Sequence, residues 1–205
     1  MHRIRQSRGI SLLELAIVLG VGGLLLSALW MGAAAVLNEQ KKSDLINGAV
    51  QTMTNARALF AGDPSSPDDF TQDDAVRANL FPDNWLFTLA NGNIIVRQPF
   101  ARSLAGDSAA LAGGNGLLSL TLGNLGIPNS GIAQDACVLL LLRIGSADHF
   151  RELGLVSLEA VPGNGRLTAA VTPAAAAATC DTGGAEAAGL EEPTFEVVIN
   201  FRPEG

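Results

Sequence analysis

The residue that most needs a chemical explanation is Glu14, because its carboxylate stands inside a long apolar segment. Between residues 10 and 29 it is the only charged side chain. A carboxylate within a membrane-length helix costs roughly a few kcal/mol unless it is paired. An ammonium group beside it in the same medium relieves both charges. The sequence therefore predicts that Glu14 is paired or kept at the membrane interface.

The apolar segment is long enough to cross a bilayer. At about 1.5 Å per residue, residues 10–29 span roughly the 30 Å of a hydrocarbon core. The residues before Gly9 include Arg3, Arg5 and Arg8 and no acid, and such a flank stays on the cytoplasmic side. We expect one membrane-spanning helix, with its C-terminus on the side away from the cytoplasm.

Residues 8–15, RGISLLEL, resemble the class III signal of type IV prepilins and pseudopilins. In that signal a glycine is followed by an apolar residue, three further residues and a Glu, and the apolar helix begins with these residues. The resemblance implies a prepilin peptidase that cuts between Gly9 and Ile10 and methylates the new N-terminus at Ile10. It also implies that Glu14 pairs with the Ile10 amine of a neighbouring subunit. The family's usual first residue is Phe, or Met, Leu or Val in the type IVb branch, so Ile10 is a departure that remains bulky and apolar.

Two other interpretations of the segment remain. One is an ordinary secretory signal cleaved after the small residues 33–35, but its apolar core exceeds the usual length of about 7–15 residues and contains an acid. The other is a plain anchor for a periplasmic domain. That interpretation explains the length and the basic flank and leaves the position of Glu14 as coincidence.

Composition limits the number of domains and the kinds of partner. With 205 residues, 48% of them hydrophobic, the chain can form one helix and one head domain. Its net charge is −7, and loss of the three leader arginines would leave 10 basic against 20 acidic side chains. Apart from the leader and Lys41–Lys42 there is no basic cluster, so we expect no nucleic-acid binding.

The two cysteines, Cys137 and Cys180, form an even pair in a chain predicted to be exported, which favours a disulfide. Closing a loop of that size would restrict the unfolded chain by roughly 4 kcal/mol on the entropic model. Two buried free thiols are the alternative. We expect no metal site here, because a soft site needs three or four ligands.

Periodicity extends the first helix beyond the membrane. Residues 10–61 are predicted to form one stem helix whose second half is amphipathic and packs on a sheet. Gly62, Asp63 and Pro64 would end it. The predicted apolar stripe comprises Leu37, Leu45, Ile46, Ala49, Val50, Met53, Ala56, Leu59 and Phe60.

Residues 62–205 are predicted to form an α+β head with an antiparallel sheet. Ser66 would cap a short helix reaching about Leu80, residues 137–142 would form a buried helix, and residues 174–178 an exposed loop. A surface loop is expected around residues 106–115, and a strand or short helix at 117–122. Strands are predicted at residues 94–96, 155–161, 167–171 and 194–201.

This order of parts resembles the pilin fold, and within it the type IVb pilins, akin to toxin-coregulated and thin-pilus subunits. Leu12, Leu13, Glu14 and residues 17–20 fit that branch, whereas the leader, residues 1–9, is shorter than type IVb leaders usually are. The resemblance implies a leader, a stem and a head whose C-terminal part, residues 137–180, is closed by the disulfide.

We expect no catalytic residues and no cofactor. Ser146, Asp148 and His149 are adjacent in sequence, but the string lacks the second glycine of a nucleophile elbow and favours an exposed turn. The acids at 68, 69, 73 and 74 could be calcium ligands, although they lack the alternating spacing of a calcium loop.

The expected function is that of a structural subunit of a type IV pilus, first in the inner membrane and then on the cell surface, serving adhesion, aggregation or motility. The resemblance implies other copies of the chain as partners, together with the peptidase, an assembly ATPase and platform, and a secretin. A minor pilin or type II secretion pseudopilin is the alternative. A membrane-anchored periplasmic binding domain is a further one.

Overall fold

The computed structural model describes residues 12–61, 67–127, 129–162, 165–181 and 194–203. It is an α+β structure in which a long N-terminal helix precedes an antiparallel sheet. By internal contacts the chain divides into two units, Met1–Gln40 and Lys41–Gly205. The first helix contributes to both. We call its residues 12–40 the N-terminal half, its residues 41–60 the C-terminal half, and the second unit the head.

Five α-helices and eight strands make up the described structure. The helices are α1 Leu12–Phe60, α2 Gln72–Arg77, α3 Gln134–Ile144, α4 Ala147–Glu152 and α5 Pro173–Thr179. The strands are β1 Leu86–Thr88, β2 Ile94–Val96, β3 Ala109–Gly114, β4 Leu117–Leu122, β5 Ile132–Ala133, β6 Leu155–Val161, β7 Arg166–Leu167 and β8 Thr194–Phe201. Short 3-10 helices occupy Pro67–Asp69 and Asp83–Trp85.

The main sheet is antiparallel and has the order β3-β4-β8-β6-β7, with β5 paired to the start of β8. Strands β1 and β2 form a separate hairpin. Along β8 every second residue is buried, beginning with Phe195. This alternation gives the sheet one face in the core and one face that is half-exposed.

The C-terminal half of α1 supplies one side of the core of the head. Five residues at helical spacing are buried there: Leu45, Ala49, Met53, Ala56 and Phe60. The predicted stripe is confirmed at these positions and wrong at its ends, where Leu37 is 57% and Leu59 44% exposed. Gly48 and Thr52 also lie on the buried face, although neither is an apolar residue that periodicity would select.

The predicted loop at residues 174–178 is wrong, because these alanines lie within α5. The Thr172 hydroxyl accepts a hydrogen bond from the Ala175 N–H, and Pro173 occupies the first helical turn. A side-chain cap, a proline at the start and a run of alanines are the strongest local helix signals. Ala176 is fully buried, so the helix also packs into the core.

The surface loop expected around residues 106–115 is largely strand β3. It forms a hairpin with β4 through Asn115 and Gly116, which have φ values of 54° and 70°. Two consecutive positive φ values are typical of the Asn-Gly hairpin turn. The glycines at 113 and 114 favoured a loop, but pairing with β4 overrides their low strand propensity.

Several other predicted elements are confirmed, and some boundaries differ. Strands occupy 94–96, 155–161 and 194–201, residues 117–122 form a strand, and the buried helix at 137–142 lies within α3. The second strand of the predicted hairpin at 167–171 is wrong in extent, because β7 pairs only at Arg166–Leu167. The short helix begins at Gln72 with Thr71 as its cap, whereas the predicted cap, Ser66, lies outside the described residues.

Gly48 allows the indole of Trp85 to pack directly against α1. A Cβ at position 48 would overlap Trp85 Cζ2 and lie 2.6 Å from Cε2. We expect Gly48→Ala to lower the free energy of unfolding by about 1–3 kcal/mol, the usual cost of overpacking a core. Chemical denaturation followed by tryptophan fluorescence measures this change.

Gly32→Ala is the matched control, because a Cβ at position 32 of the same helix meets no atom within 4 Å. Alanine there should leave stability unchanged or raise it by up to about 1 kcal/mol through helix propensity. Equal stability of the Gly48→Ala variant and the wild type would contradict the packing described.

Candidate functional site

The N-terminal half of α1 exposes an almost continuous apolar surface. Leu12 is 87% and Trp30 81% exposed. The other large apolar side chains exposed in this half are Leu15, Ile17, Val18, Leu19, Val21, Leu24, Leu25, Leu26, Leu29, Val36 and Leu37. A surface of this size on a single chain marks contact with lipid or with other protein.

The predicted processing and pairing residues are only partly within the described structure. Gly9 and Ile10 lie outside it, so the cleavage and methylation predictions remain predictions. Glu14 lies in the first turns of α1, and its proposed ion pair is likewise untested. Four glycines of this half, at 20, 22, 23 and 32, have open space where a Cβ would stand. Small residues of this kind let helices approach closely in a membrane.

By length and composition, α1 is the one candidate membrane span among the residues that the structure describes. It lies near the N-terminus, as the sequence predicts. No family model and no curated protein matches this chain.

The cysteines lie at disulfide distance in the core. Their Cα atoms are 6.1 Å apart, and both residues are fully buried. Cys137 stands in the first turns of α3, and Cys180 follows the last residue of α5. The predicted pairing therefore joins two helices that are separated in sequence by β6 and β7.

An ion pair joins the same end of α3 to α1. Lys42 Nζ lies 2.8 Å from Asp135 Oδ2, and the Lys42 side chain is only 13% exposed. The hydrogen bond from Lys42 lowers the pKa of the Asp135 carboxyl, against a smaller opposing effect of burial. The sequence analysis missed this pair, because the two residues lie far apart in the chain and no local pattern links them.

Several of the residues considered for catalysis or calcium binding have structural partners. Ser146 caps α4 by accepting a hydrogen bond from the His149 N–H, and His149 Nδ1 lies 2.7 Å from the Arg143 carbonyl oxygen. Asp74 completes a capping box with Thr71, and these hydrogen bonds lower its pKa. Among the described residues, no group of three or more His, Cys, Asp or Glu side chains could hold a metal ion.

Replacing both cysteines, as Cys137→Ala with Cys180→Ala, should lower the free energy of unfolding by about 2–5 kcal/mol, because the unfolded chain regains the freedom that a disulfide removes. Thermal unfolding followed by circular dichroism measures the loss. Reductant should destabilise the wild type similarly and leave the double variant unchanged. Trapping of two free thiols in the native wild type would instead support the free-thiol alternative.

The Lys42–Asp135 pair should make stability depend on pH in the acid range. Because the folded pKa of Asp135 lies below its ordinary value of 3.8, the contribution is present above that value and is lost as pH falls through the folded pKa. Asp135 is 65% exposed, so solvent screening limits the pair to about 0.2–1 kcal/mol. We expect Asp135→Asn to lower stability by this amount at neutral pH.

The difference between wild type and Asp135→Asn should disappear as pH falls through the folded pKa of Asp135, which lies below 3.8, because both forms then lack the charge. Denaturation at a series of pH values measures it. Asp44→Asn removes the same charge at an exposed position of α1 and is the matched control. A difference that persists unchanged in acid would assign the effect to packing and not to charge.

Proposed function

We propose that this protein is a structural subunit of a type IV pilus, held in the inner membrane by the N-terminal half of α1 and polymerised through the same helix. The observation that carries this proposal is the exposed apolar surface of that half combined with Glu14, the only charged residue between positions 10 and 29. Lipid can cover the surface before assembly, and the helices of other copies can cover it afterwards. Gly9 matches the glycine of the prepilin signal, and Ile10 places a bulky apolar residue where that signal has its usual first residue.

The force that favours covering this apolar surface depends on the surrounding medium. Exposed leucines favour transfer from water by about 25 cal/mol for each Å² that becomes covered. Within lipid that driving force is absent, and helices associate through close packing and polar contacts. The open glycine positions supply close approach, and Glu14 supplies a polar contact that an N-terminal amine can satisfy. The pairing of Glu14 with Ile10 of a neighbour would then specify the register of the subunits.

Trp30 supports the membrane position of the helix. It follows the predicted span of residues 10–29 directly and is exposed. Tryptophan is enriched at the boundary between hydrocarbon and water. The basic leader lies at the other end of the span, so the two ends carry the residue types expected for a single crossing with the head in the periplasm.

The proposal is tested on fibres sheared from producing cells, by intact-mass spectrometry and N-terminal sequencing. An abundant chain that begins at Ile10 and carries one added methyl group would establish a major pilin. The same start in trace amounts would favour a minor pilin or pseudopilin. A start near Val36, or an uncut Met1, would refute the prepilin interpretation.

Replacing Glu14 tests the assembly role separately. We expect Glu14→Gln and Glu14→Ala to be inserted and processed but to give at least about tenfold fewer fibres, because removing one partner of a desolvated pair costs about 3–5 kcal/mol. Immunoblots of sheared and membrane fractions measure this ratio.

Glu39→Gln is the matched control, since it removes the same charge from an exposed position of α1 beyond the apolar segment. It should assemble like the wild type. Normal fibres from both Glu14 variants would contradict the proposed pairing and favour a plain anchor.

A further inference from the structure

The outer edge of β3 is occupied by residues 67–72, which comprise the 3-10 helix at Pro67–Asp69 and the chain that leads from it into α2. Strand β3 is the first in the sheet order, with β4 as its only strand neighbour in the described sheet. An edge strand presents unpaired N–H and C=O groups that can pair with another chain. Whether this edge of β3 is open therefore depends on which of its backbone groups face outward and what those groups contact.

The hairpin turn decides which groups face outward. Gly114 and Leu117 flank a two-residue turn, so they form a hydrogen-bonded pair, and the pairs along an antiparallel ladder alternate from there. Ala112 and Ala110 then bond to β4. The backbone groups of Ala109, Leu111 and Gly113 face the outer edge.

The outward groups meet partners on a single short segment. The Gln72 side chain accepts from the Leu111 N–H at 2.7 Å and donates from Nε2 to the Ala109 carbonyl at 3.3 Å. The Gly113 N–H donates to the Phe70 carbonyl at 2.8 Å. The primary amide of Gln72 thus presents a donor and an acceptor in the way that a peptide group of a neighbouring strand would.

The contacts continue beyond both ends of β3. The Gly116 N–H in the hairpin turn donates to Asp68 Oδ1 at 2.6 Å, and the Ser108 N–H donates to the Val96 carbonyl at 2.9 Å. A Cβ at Gly113 would overlap the Pro67 carbonyl oxygen, so the segment lies directly against the strand. Positions 68, 70 and 72 meet positions 116, 113 and 111, which is the order of an antiparallel neighbour.

We propose that residues 67–72 act as an edge cap, which occupies the outer edge of β3 in place of a further strand and keeps that edge from pairing with an extended segment of a second copy. The proposal is independent of the pilus function. Its consequence is that association of the heads through β3 is suppressed, which leaves association to other surfaces of the chain.

The first test is hydrogen exchange of the full-length wild-type chain in detergent micelles, resolved to single amides. The cap holds the Leu111 and Gly113 amides, so they should exchange at least about tenfold more slowly than expected for an open edge. Exchange at open-edge rates at both positions would overturn the proposal, whatever the variants do.

The second test is Gln72→Leu, which removes both hydrogen bonds of the amide and keeps a side chain of similar size. We expect Leu111 exchange to rise at least about tenfold, together with concentration-dependent association that binds thioflavin T. Gly113→Ala, which displaces the Pro67 carbonyl, should act in the same direction through a different contact.

Gln51→Leu is the matched control, because Gln51 is an exposed glutamine of α1. In this variant the amide hydrogens of β3 should exchange at the wild-type rate, and the protein should remain dispersed like the wild type. Protection of the β4 and β8 amides shows that a variant is folded. A folded Gln72→Leu chain that stays dispersed at every concentration would overturn the proposal, and association of Gln51→Leu to the same extent would do so as well.

Discussion

The constraint on which the structure depends is that α1 is apolar in both halves and that each half needs cover. In the C-terminal half, Leu45, Ala49 and Met53 are covered by the sheet and helices of the head. In the N-terminal half the leucines whose side chains the structure describes are exposed. Burial is the main stabilising term for the first group. The leucines of the second group gain the same stabilisation only when a bilayer or other copies of the chain cover them.

The first turns of α3 form the point at which the separate parts of the head are joined. Asp135 connects this end of α3 to α1 through Lys42, and Cys137, two residues later, lies at disulfide distance from Cys180 after α5. Neither contact depends on the other chemically, since one is ionic and the other is between sulfur atoms. Because both act on one short stretch, a shift of α3 would disturb the attachment of α1 and of α5 together.

Local sequence patterns predicted most of the helices and strands. Some errors come from misinterpreted local patterns, and others come from contacts between residues far apart in the chain. The alternation at 194–201 predicted β8. Thr172 and Pro173 are signals for the start of α5, although residues 174–178 were predicted to form an exposed loop. The strand at Gly113 could not be predicted, because pairing with β4 decides it against propensity. The contacts of Gly48 with Trp85, and of Gln72 with β3, join residues whose spacing carries no pattern. The role proposed for Glu14 rests on the sequence alone, since that role depends on contacts with other molecules.

The position of β8 has a consequence for how the head acquires its fold. This strand follows every other strand in sequence, yet it lies between β4 and β6 and also pairs with β5. A growing chain whose synthesis has not yet reached Phe201 lacks the central strand of this sheet. Such non-local pairing raises contact order and slows folding. The main sheet of the head therefore cannot be completed until β8 is available to pair with β4 and β6.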